Sequence, residues 1–189
     1  TAEILPKDEQ IVTQTLGVEP VLLDARDRSG QVRRRKFWTN IPGITEQVPL
    51  AVSAGDVMLT YEEAVALPVE QVGTITPKTT AYMERRDGKR APRWLSGQNI
   101  QLYPGREKIP TMYRIRGKGA PYDIVTHDKK RFRRLARVEA ERLQGLPDGY
   151  TDAVRSRQQA LFGIGNAYSV PVIEHIIAHL AEDFADEFH

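Results

Sequence analysis

The sequence predicts an α/β fold in which a small, loop-rich domain interrupts a domain of helices and strands. Near the amino end, a helix is followed by two strands, an alternation typical of one edge of an α/β sheet. The middle of the chain is instead rich in Gly, Pro and short strand-like pieces, and helical periodicity returns near the carboxyl end. We therefore assign residues 1–43 and 134–189 to the sheet domain and residues 44–133 to the insertion.

The amino-terminal elements follow from local signals. Pro6 and Gly17 bound a predicted helix, because Pro suits a first helical turn and Gly ends a helix. The apolar run at residues 20–25 predicts a buried strand. A turn is expected at residues 28–30, and residues 31–38 predict a second strand.

Helices are predicted again later in the chain. Helical spacing in the insertion is confined to residues 61–67, and a further helix is expected to end at Gly145 or Pro147. The last helix is expected to begin with Ser169 as its cap and Pro171 in its first turn. One apolar face of that helix is predicted to pack on a core; it comprises Ile173, Ile176, Ile177, Leu180 and Phe184.

Composition restricts the class of protein. The 189 residues include no Cys, which excludes disulfides and thiolate zinc sites and is typical of an intracellular protein. We find no signal peptide and no apolar run of membrane-spanning length, so we expect a soluble protein without a membrane partner. The predicted location is the cytoplasm or nucleoid of a prokaryote or virus, or the nucleus of a eukaryote.

Positive charge is concentrated in one third of the chain. The net charge is only +2, but residues 74–137 hold 17 Lys or Arg against five Asp or Glu, which gives this segment +12. Such a segment between acidic flanks favours binding to a polyanion such as nucleic acid. A solvated basic surface without a partner is the alternative.

Histidines do not predict a metal site. His175 and His179 lie one helical turn apart, and the sequence offers no third ligand at a suitable spacing. We therefore expect this pair to form an exposed face and expect no metal.

Three blocks in the order QVRRRKFWTNIPG, RLARVEAERLQGLPD and GNAYSVPV carry a family resemblance. They resemble the later blocks of DNA (cytosine-5) methyltransferases, and the first is similar to that of the animal de novo branch in particular. The resemblance implies a Rossmann-like domain dependent on S-adenosylmethionine, with an inserted target-recognition domain. It also implies transfer of a methyl group to a cytosine that has been flipped out of double-stranded DNA.

The first block implies the contacts to the reacting base. When a thiolate attacks the pyrimidine ring, negative charge moves towards the ring carbonyl, where a fixed guanidinium is stabilising. By resemblance Arg35 contacts that carbonyl oxygen, and Arg33 supports the catalytic loop or a target phosphate. Arg34 is expected on the opposite face of the strand. The alternative is an exposed basic strand.

The third block implies one wall of the S-adenosylmethionine site. Small residues and a polar side chain near a helix start allow close approach to the cofactor, and the residues concerned are Asn166, Ala167 and Tyr168. A Tyr168 packed in the sheet core is the alternative. The second block implies a helix that anchors the insertion, in which Glu139 and Arg142 are spaced to pair.

Target recognition is expected from the insertion. Hydroxyl groups and a lysine near its start suit phosphates, and an arginine-rich run that follows suits the major groove. The candidate DNA contacts are Thr76, Lys78, Thr79, Arg85, Arg86, Lys89, Arg90 and Arg93.

Three family blocks have no counterpart in this sequence: the glycine-rich cofactor loop, the Pro-Cys loop that carries the nucleophile, and Glu-Asn-Val. Thr1 aligns just after the position of the last of these, which fits a separate gene, a cleaved chain or a separately numbered segment. The resemblance thus implies a carboxyl half that needs an amino-terminal half for catalysis. The alternative is a non-catalytic DNA-binding or regulatory partner of a complete methyltransferase.

Overall fold

A computed structural model describes residues 4–45, 52–74, 101–102, 124–126 and 131–187 of the chain.

The first helix, α1 (Pro6–Leu16), forms as predicted. Pro6 occupies its first turn, and it ends at Gly17, whose left-handed φ of 69° suits glycine. Two contacts join the helix to the hairpin that follows it. They are an ion pair between Glu9 and Lys36 and a 2.9 Å hydrogen bond from Trp38 Nε1 to Thr13 Oγ1. No residue of α1 is buried.

Strands β1 (Pro20–Asp24) and β2 (Arg34–Trp38) form an antiparallel hairpin, and a 3-10 turn over Ala25–Asp27 follows β1. Leu23 is the one fully buried residue of β1, so the prediction of a buried strand was wrong for the rest of it. The second strand begins at Arg34 instead of Gln31, because the Arg33 N–H donates to the Asp24 carboxylate instead of continuing the ladder.

The hairpin separates α1 from the last helix, α7 (Val170–Glu187). The side chains of Leu23 and Phe37 face α7, where they pack with Val172 and Ile176. Because strand residues alternate between faces, β2 presents Arg35 on the same side as Phe37 and presents Lys36 to α1.

The helices α2 (Ala54–Val57), α3 (Tyr61–Ala66) and α4 (Val69–Val72) occupy the start of the predicted insertion. Helix α3 was predicted, and its start is fixed by reciprocal hydrogen bonds between Thr60 and Glu63. Strands β3 (Gln101–Leu102), β4 (Ile124–Thr126) and β5 (Phe132–Arg134) form a small sheet in which β4 is central.

Two further helices complete the core, α5 (Arg137–Gln144) and α6 (Arg157–Asn166). Both α2 and α4 contact α5, and α4 also contacts α6. The main core lies between them and comprises Met58, Val125, Leu135, Ala140, Leu143, Leu161 and Ile164. Residues 52–74 therefore pack directly on the carboxyl-terminal helices, while the proposed domain boundaries stay a prediction.

The prediction of the buried face of α7 was partly wrong. Val172 and His175 are buried, whereas Ile177 is 56% exposed and Leu180 is 38% exposed. The predicted Ser169 cap also differs: its carbonyl accepts the first helical N–H groups, but its buried hydroxyl has no hydrogen-bond partner among the described residues.

Residues Arg157–Leu180 are long and apolar enough to cross a membrane by length and composition, although we expected no such run from the sequence. In the structure this stretch is divided between α6 and α7, and part of it is buried in the protein core. The composition is therefore weak evidence for a membrane span.

Candidate active-site junction

Arg35 projects from the side of β2 that faces α7, and its cross-strand partner on β1 is Leu23. It is half-buried, and its Nη1 donates to the Arg34 carbonyl at 2.7 Å. Arg34 lies on the other face, where its side chain is 63% exposed and 3.9 Å from the Asp24 carboxylate. The predicted opposition of the two side chains is confirmed.

Arg33 is buried, with 4% of its surface exposed. Its Nη2 donates to the carbonyls of Gly165 at 3.0 Å and Ala167 at 2.8 Å, where the partial negative charge at the carboxyl end of α6 favours a cation. The alternative of an exposed basic strand is therefore wrong for Arg33. Its expected contact with a catalytic loop or phosphate stays a prediction.

The residues expected at the cofactor wall lie at the carboxyl end of α6, next to the carbonyls that Arg33 contacts. Asn166 is exposed and its Nδ2 donates to the Phe162 carbonyl at 2.9 Å. Tyr168 is 61% exposed, and its ring centre lies 6.0 Å from that of Phe37 at an angle of 41°. A core position for Tyr168 is thus wrong. Phe37 is two residues beyond Arg35 on the same face, so this aromatic pair lies beside the arginine.

Two glutamines that sequence reasoning did not select join the three blocks. Gln31 Nε2 donates to the Leu143 carbonyl at 2.7 Å and to Gln144 Oε1. Gln144 Nε2 donates in turn to the carbonyls of Ile164 at 2.8 Å and Ala167 at 3.0 Å. The sequence carries no signal for these contacts, because three of these four acceptors are backbone carbonyls.

A family model described as C-5 cytosine-specific DNA methylase matches residues 28–182, which include Gln31, Arg33, Arg35, Gln144 and Tyr168. The chain belongs to the C-5 cytosine-specific DNA methylase family. A solved structure of the Dnmt2 methyltransferase of S. pombe is also similar, with a TM-score of 0.58 and 12% sequence identity. The match covers 95% of this chain and 62% of that one. It supports the predicted α/β, Rossmann-like methyltransferase fold.

A buried histidine joins three parts of the chain, and this finding corrects the prediction of an exposed pair. His175 is 5% exposed; its Nδ1 accepts from the Arg28 guanidinium at 2.9 Å, so its Nε2–H donates to the Ile44 carbonyl at 3.0 Å. His179 is half-buried, with its ring packed edge-on at 4.4 Å from that of His175. Both nitrogens of His175 are occupied by protein groups.

The predicted pairing of Glu139 with Arg142 was wrong. The fully buried carboxylate of Glu139 receives two 2.7 Å hydrogen bonds from Arg133, and it also accepts the N–H groups of Leu59 and Ala136. Arg142 instead pairs with Asp148 at 2.6 Å, which raises the pKa of Arg142 and lowers the pKa of Asp148. The two residues do lie three positions apart on the helix, but Glu139 pairs with Arg133 and Arg142 pairs with Asp148, and both of these partners lie outside the helix.

The expected DNA contacts stay a prediction. All eight, from Thr76 to Arg93, lie outside the described residues. Among the residues that the structure describes, no group of three or more His, Asp or Glu side chains could hold a metal ion.

Proposed function

We propose that this chain is the DNA-recognising and active-site-completing carboxyl half of a DNA cytosine-5 methyltransferase similar to those of the animal de novo branch. The observation that carries this proposal is the junction at which β2, α5 and the α6–α7 connection meet. It holds Arg35, Phe37 and Tyr168 on one side of the hairpin, supported by buried Arg33.

Arg35 provides the electrostatic part of the reaction. Attack of a thiolate on the cytosine ring carbon increases the negative charge on the ring carbonyl, and a guanidinium directed at that oxygen stabilises the transition state more than the ground state. Its half-buried position suits this function, because partial removal from water strengthens the interaction. Arg34, exposed on the other face, has no such role.

S-adenosylmethionine supplies the methyl group when it is bound. The exposed amide of Asn166 and the exposed ring of Tyr168 fit one wall of its site, since an open aromatic ring can pack against the adenosine or methionine portion. The glycine-rich loop that would form the other wall is not in this sequence. This chain alone therefore binds the cofactor weakly or not at all.

An amino-terminal half supplies the cysteine nucleophile and the general acid, because the sequence contains no cysteine. The amino-terminal layer of the chain is suited to such a partner. Helix α1 buries none of its residues, and Leu5, Ile11 and Leu16 are each more than half exposed. A two-stranded hairpin is also marginal alone and is stabilised by further strands.

Double-stranded DNA is the other proposed partner, bound by the basic segment at residues 74–137 in an intracellular compartment. The competing function is that of a non-catalytic DNA-binding or regulatory partner for a complete methyltransferase. The arrangement of Arg35, Phe37 and Tyr168 favours the enzyme half, because a regulator does not require base and cofactor contacts on one face.

Copurification from the native source, followed by covalent capture, tests this function. We expect a partner that carries a Pro-Cys loop, and we expect duplex DNA containing a mechanism-based cytosine analogue to crosslink to that partner only in the presence of this chain. The chain alone should form no adduct, since it has no thiolate. Copurification with a methyltransferase that crosslinks equally well without this chain would instead support the regulatory function.

A further inference from the structure

Three buried side chains close the carboxyl end of α6. Gln31 and Gln144 are 0% exposed and Arg33 is 4% exposed. The residue after the helix, Ala167, is extended with φ −68° and ψ 161°, so the helix ends without the left-handed glycine that commonly satisfies terminal carbonyls. Donors from distant parts of the sequence satisfy these carbonyls instead.

Gln144 is at the centre of this group. Its Nε2 donates to the carbonyls of Ile164 and Ala167, while its Oε1 accepts from Gln31 Nε2 at 2.5 Å. Gln31 is fixed in turn by its 2.7 Å hydrogen bond to the Leu143 carbonyl. Because both amides are fully buried, protein partners alone determine their orientation.

These hydrogen bonds fix the α6–α7 connection relative to β2. The Ala167 carbonyl receives donors from both Gln144 and Arg33, at 3.0 and 2.8 Å. The next residue is Tyr168, whose ring packs against Phe37 on β2. A shift of the Ala167 carbonyl would therefore move Tyr168 away from the strand that carries Arg35.

We propose that Gln144 is a positioning residue for methyl transfer, oriented by Gln31. Gln144 holds Asn166 and Tyr168 at the distance from Arg35 at which cofactor and cytosine can be bound together. Gln144 itself contacts neither the cofactor nor the cytosine. This inference rests on the proposed function, because the cofactor contacts of Asn166 and Tyr168 belong to it.

The first test uses the chain assembled with its amino-terminal half. Gln144→Met keeps the length of the side chain but removes both donors. We expect the KM for S-adenosylmethionine to rise about tenfold, the equivalent of one or two lost hydrogen bonds, while kcat stays within about twofold. Gln31→Met leaves the donors of Gln144 in place, so its effect on KM should be smaller. Gln158→Met, at an exposed position on α6, is the matched control and should change nothing.

The second test uses hydrogen exchange in the chain alone and needs no methyl transfer. The Ala167 N–H donates to the carbonyls of Gly163 and Ile164 at 3.0 and 3.1 Å. Gln144→Met should raise its exchange rate about tenfold, and Gln158→Met should leave it unchanged.

The two tests separate this inference from the proposed function. The Gln144→Met substitution could speed exchange at Ala167 in a chain that supports methylation with no amino-terminal half. That result would refute the proposed function but would support the anchoring of Ala167 by Gln144. An active assembly in which Gln144→Met lowers stability but leaves KM unchanged would overturn the positioning role. Unchanged exchange at Ala167 would overturn it as well. Should Gln144→Met fail to fold, the KM of Gln31→Met decides, and no rise would overturn the proposal.

Discussion

At the junction, the backbone conformation and the close packing at position 145 both require glycine. It ends α5 with a φ of +79°, and a Cβ placed there would lie 2.4 Å from Pro171 Cδ at the start of α7. A side chain at this position would therefore both strain the backbone and separate two helices. The sequence identified Gly145 as a possible helix end, but it could not reveal the contact with Pro171, which lies 26 positions away.

We predict that Gly145→Ala lowers the free energy of unfolding by about 2–4 kcal/mol, since left-handed strain and overpacking add. Gly17→Ala is the matched control, because Gly17 has a φ of +69° but no atom within 4 Å of the added Cβ. Its cost should be limited to about 1 kcal/mol. Urea unfolding of the two variants measures the difference, and equal losses would mean that the contact with Pro171 is absent.

Asp148 gives a prediction about pH. Hydrogen bonds from Arg142 lower the pKa of Asp148, so the stabilisation from this pair is present above about pH 4 and is lost as the pH falls through the lowered pKa. Because both side chains are partly exposed, the contribution is about 0.5 kcal/mol. The deficit of Asp148→Asn in urea unfolding should thus be present at pH 7 and shrink towards pH 3. A deficit that is constant over this range would exclude the ion pair as its source.

At the scale of single residues, the sequence predicted which side chains matter better than it predicted what they contact. Arg33 and Arg35 were both selected, yet only the structure shows that Arg33 is buried against carbonyls of residues 165 and 167. Gln31 and Gln144 were overlooked because their partners are mostly backbone carbonyls, which leave no pattern in the sequence. His175 was misjudged for a similar reason, since its partner Arg28 lies 147 positions away.

At the scale of elements, α5 depends on one buried ion pair. Glu139 joins the helix to β5 through Arg133 and to the segment before α3 through the Leu59 N–H. The helix is short and carries several buried polar groups, so its position is determined by these contacts more than by an apolar face. The resemblance had implied that this block anchors the insertion, and these contacts are consistent with that role.

We predict that Glu139→Gln lowers the free energy of unfolding by about 3–5 kcal/mol, because it removes the charge of the carboxylate that faces the buried guanidinium of Arg133. The control is Glu62→Gln, which removes an exposed pair with Arg131 and should change stability by about 0.5 kcal/mol or less. Thermal and urea unfolding measure both. Similar effects of the two substitutions would show that the Arg133–Glu139 pair is not essential to the position of α5.

Local signals predicted the bounds of α1 and α3, but they did not predict α2, α4 or α6, nor how the helices pack. Pro6 and Gly17 bound α1 as expected. On α7, however, helical spacing placed Ile177 in the core, while the structure buries His175 instead. Periodicity identifies an apolar face, but it cannot show whether the chain itself covers that face.

At the scale of the whole molecule, the uneven distribution of charge predicts that the affinity of the chain for DNA depends on salt. Residues 74–137 carry +12 in a protein of net charge +2. The affinity of the chain for duplex DNA should fall about tenfold or more between about 50 and 200 mM salt, because several phosphates are neutralised. Lys89→Ala should reduce the salt slope by about one unit, and Lys7→Ala on exposed α1 should not. Affinity that does not vary with salt would exclude the basic segment as the DNA-binding surface.

Single-turnover methylation of duplex DNA with the assembled halves measures whether this chain completes the active site. Arg35→Ala should lower the rate about a hundredfold, equivalent to about 3 kcal/mol of transition-state stabilisation, with little loss of DNA affinity. Arg34→Ala, the adjacent arginine on the exposed face of β2, should stay within about twofold of wild type. A rate for Arg35→Ala within about twofold of wild type would contradict completion of the active site by this chain and favour a regulatory partner.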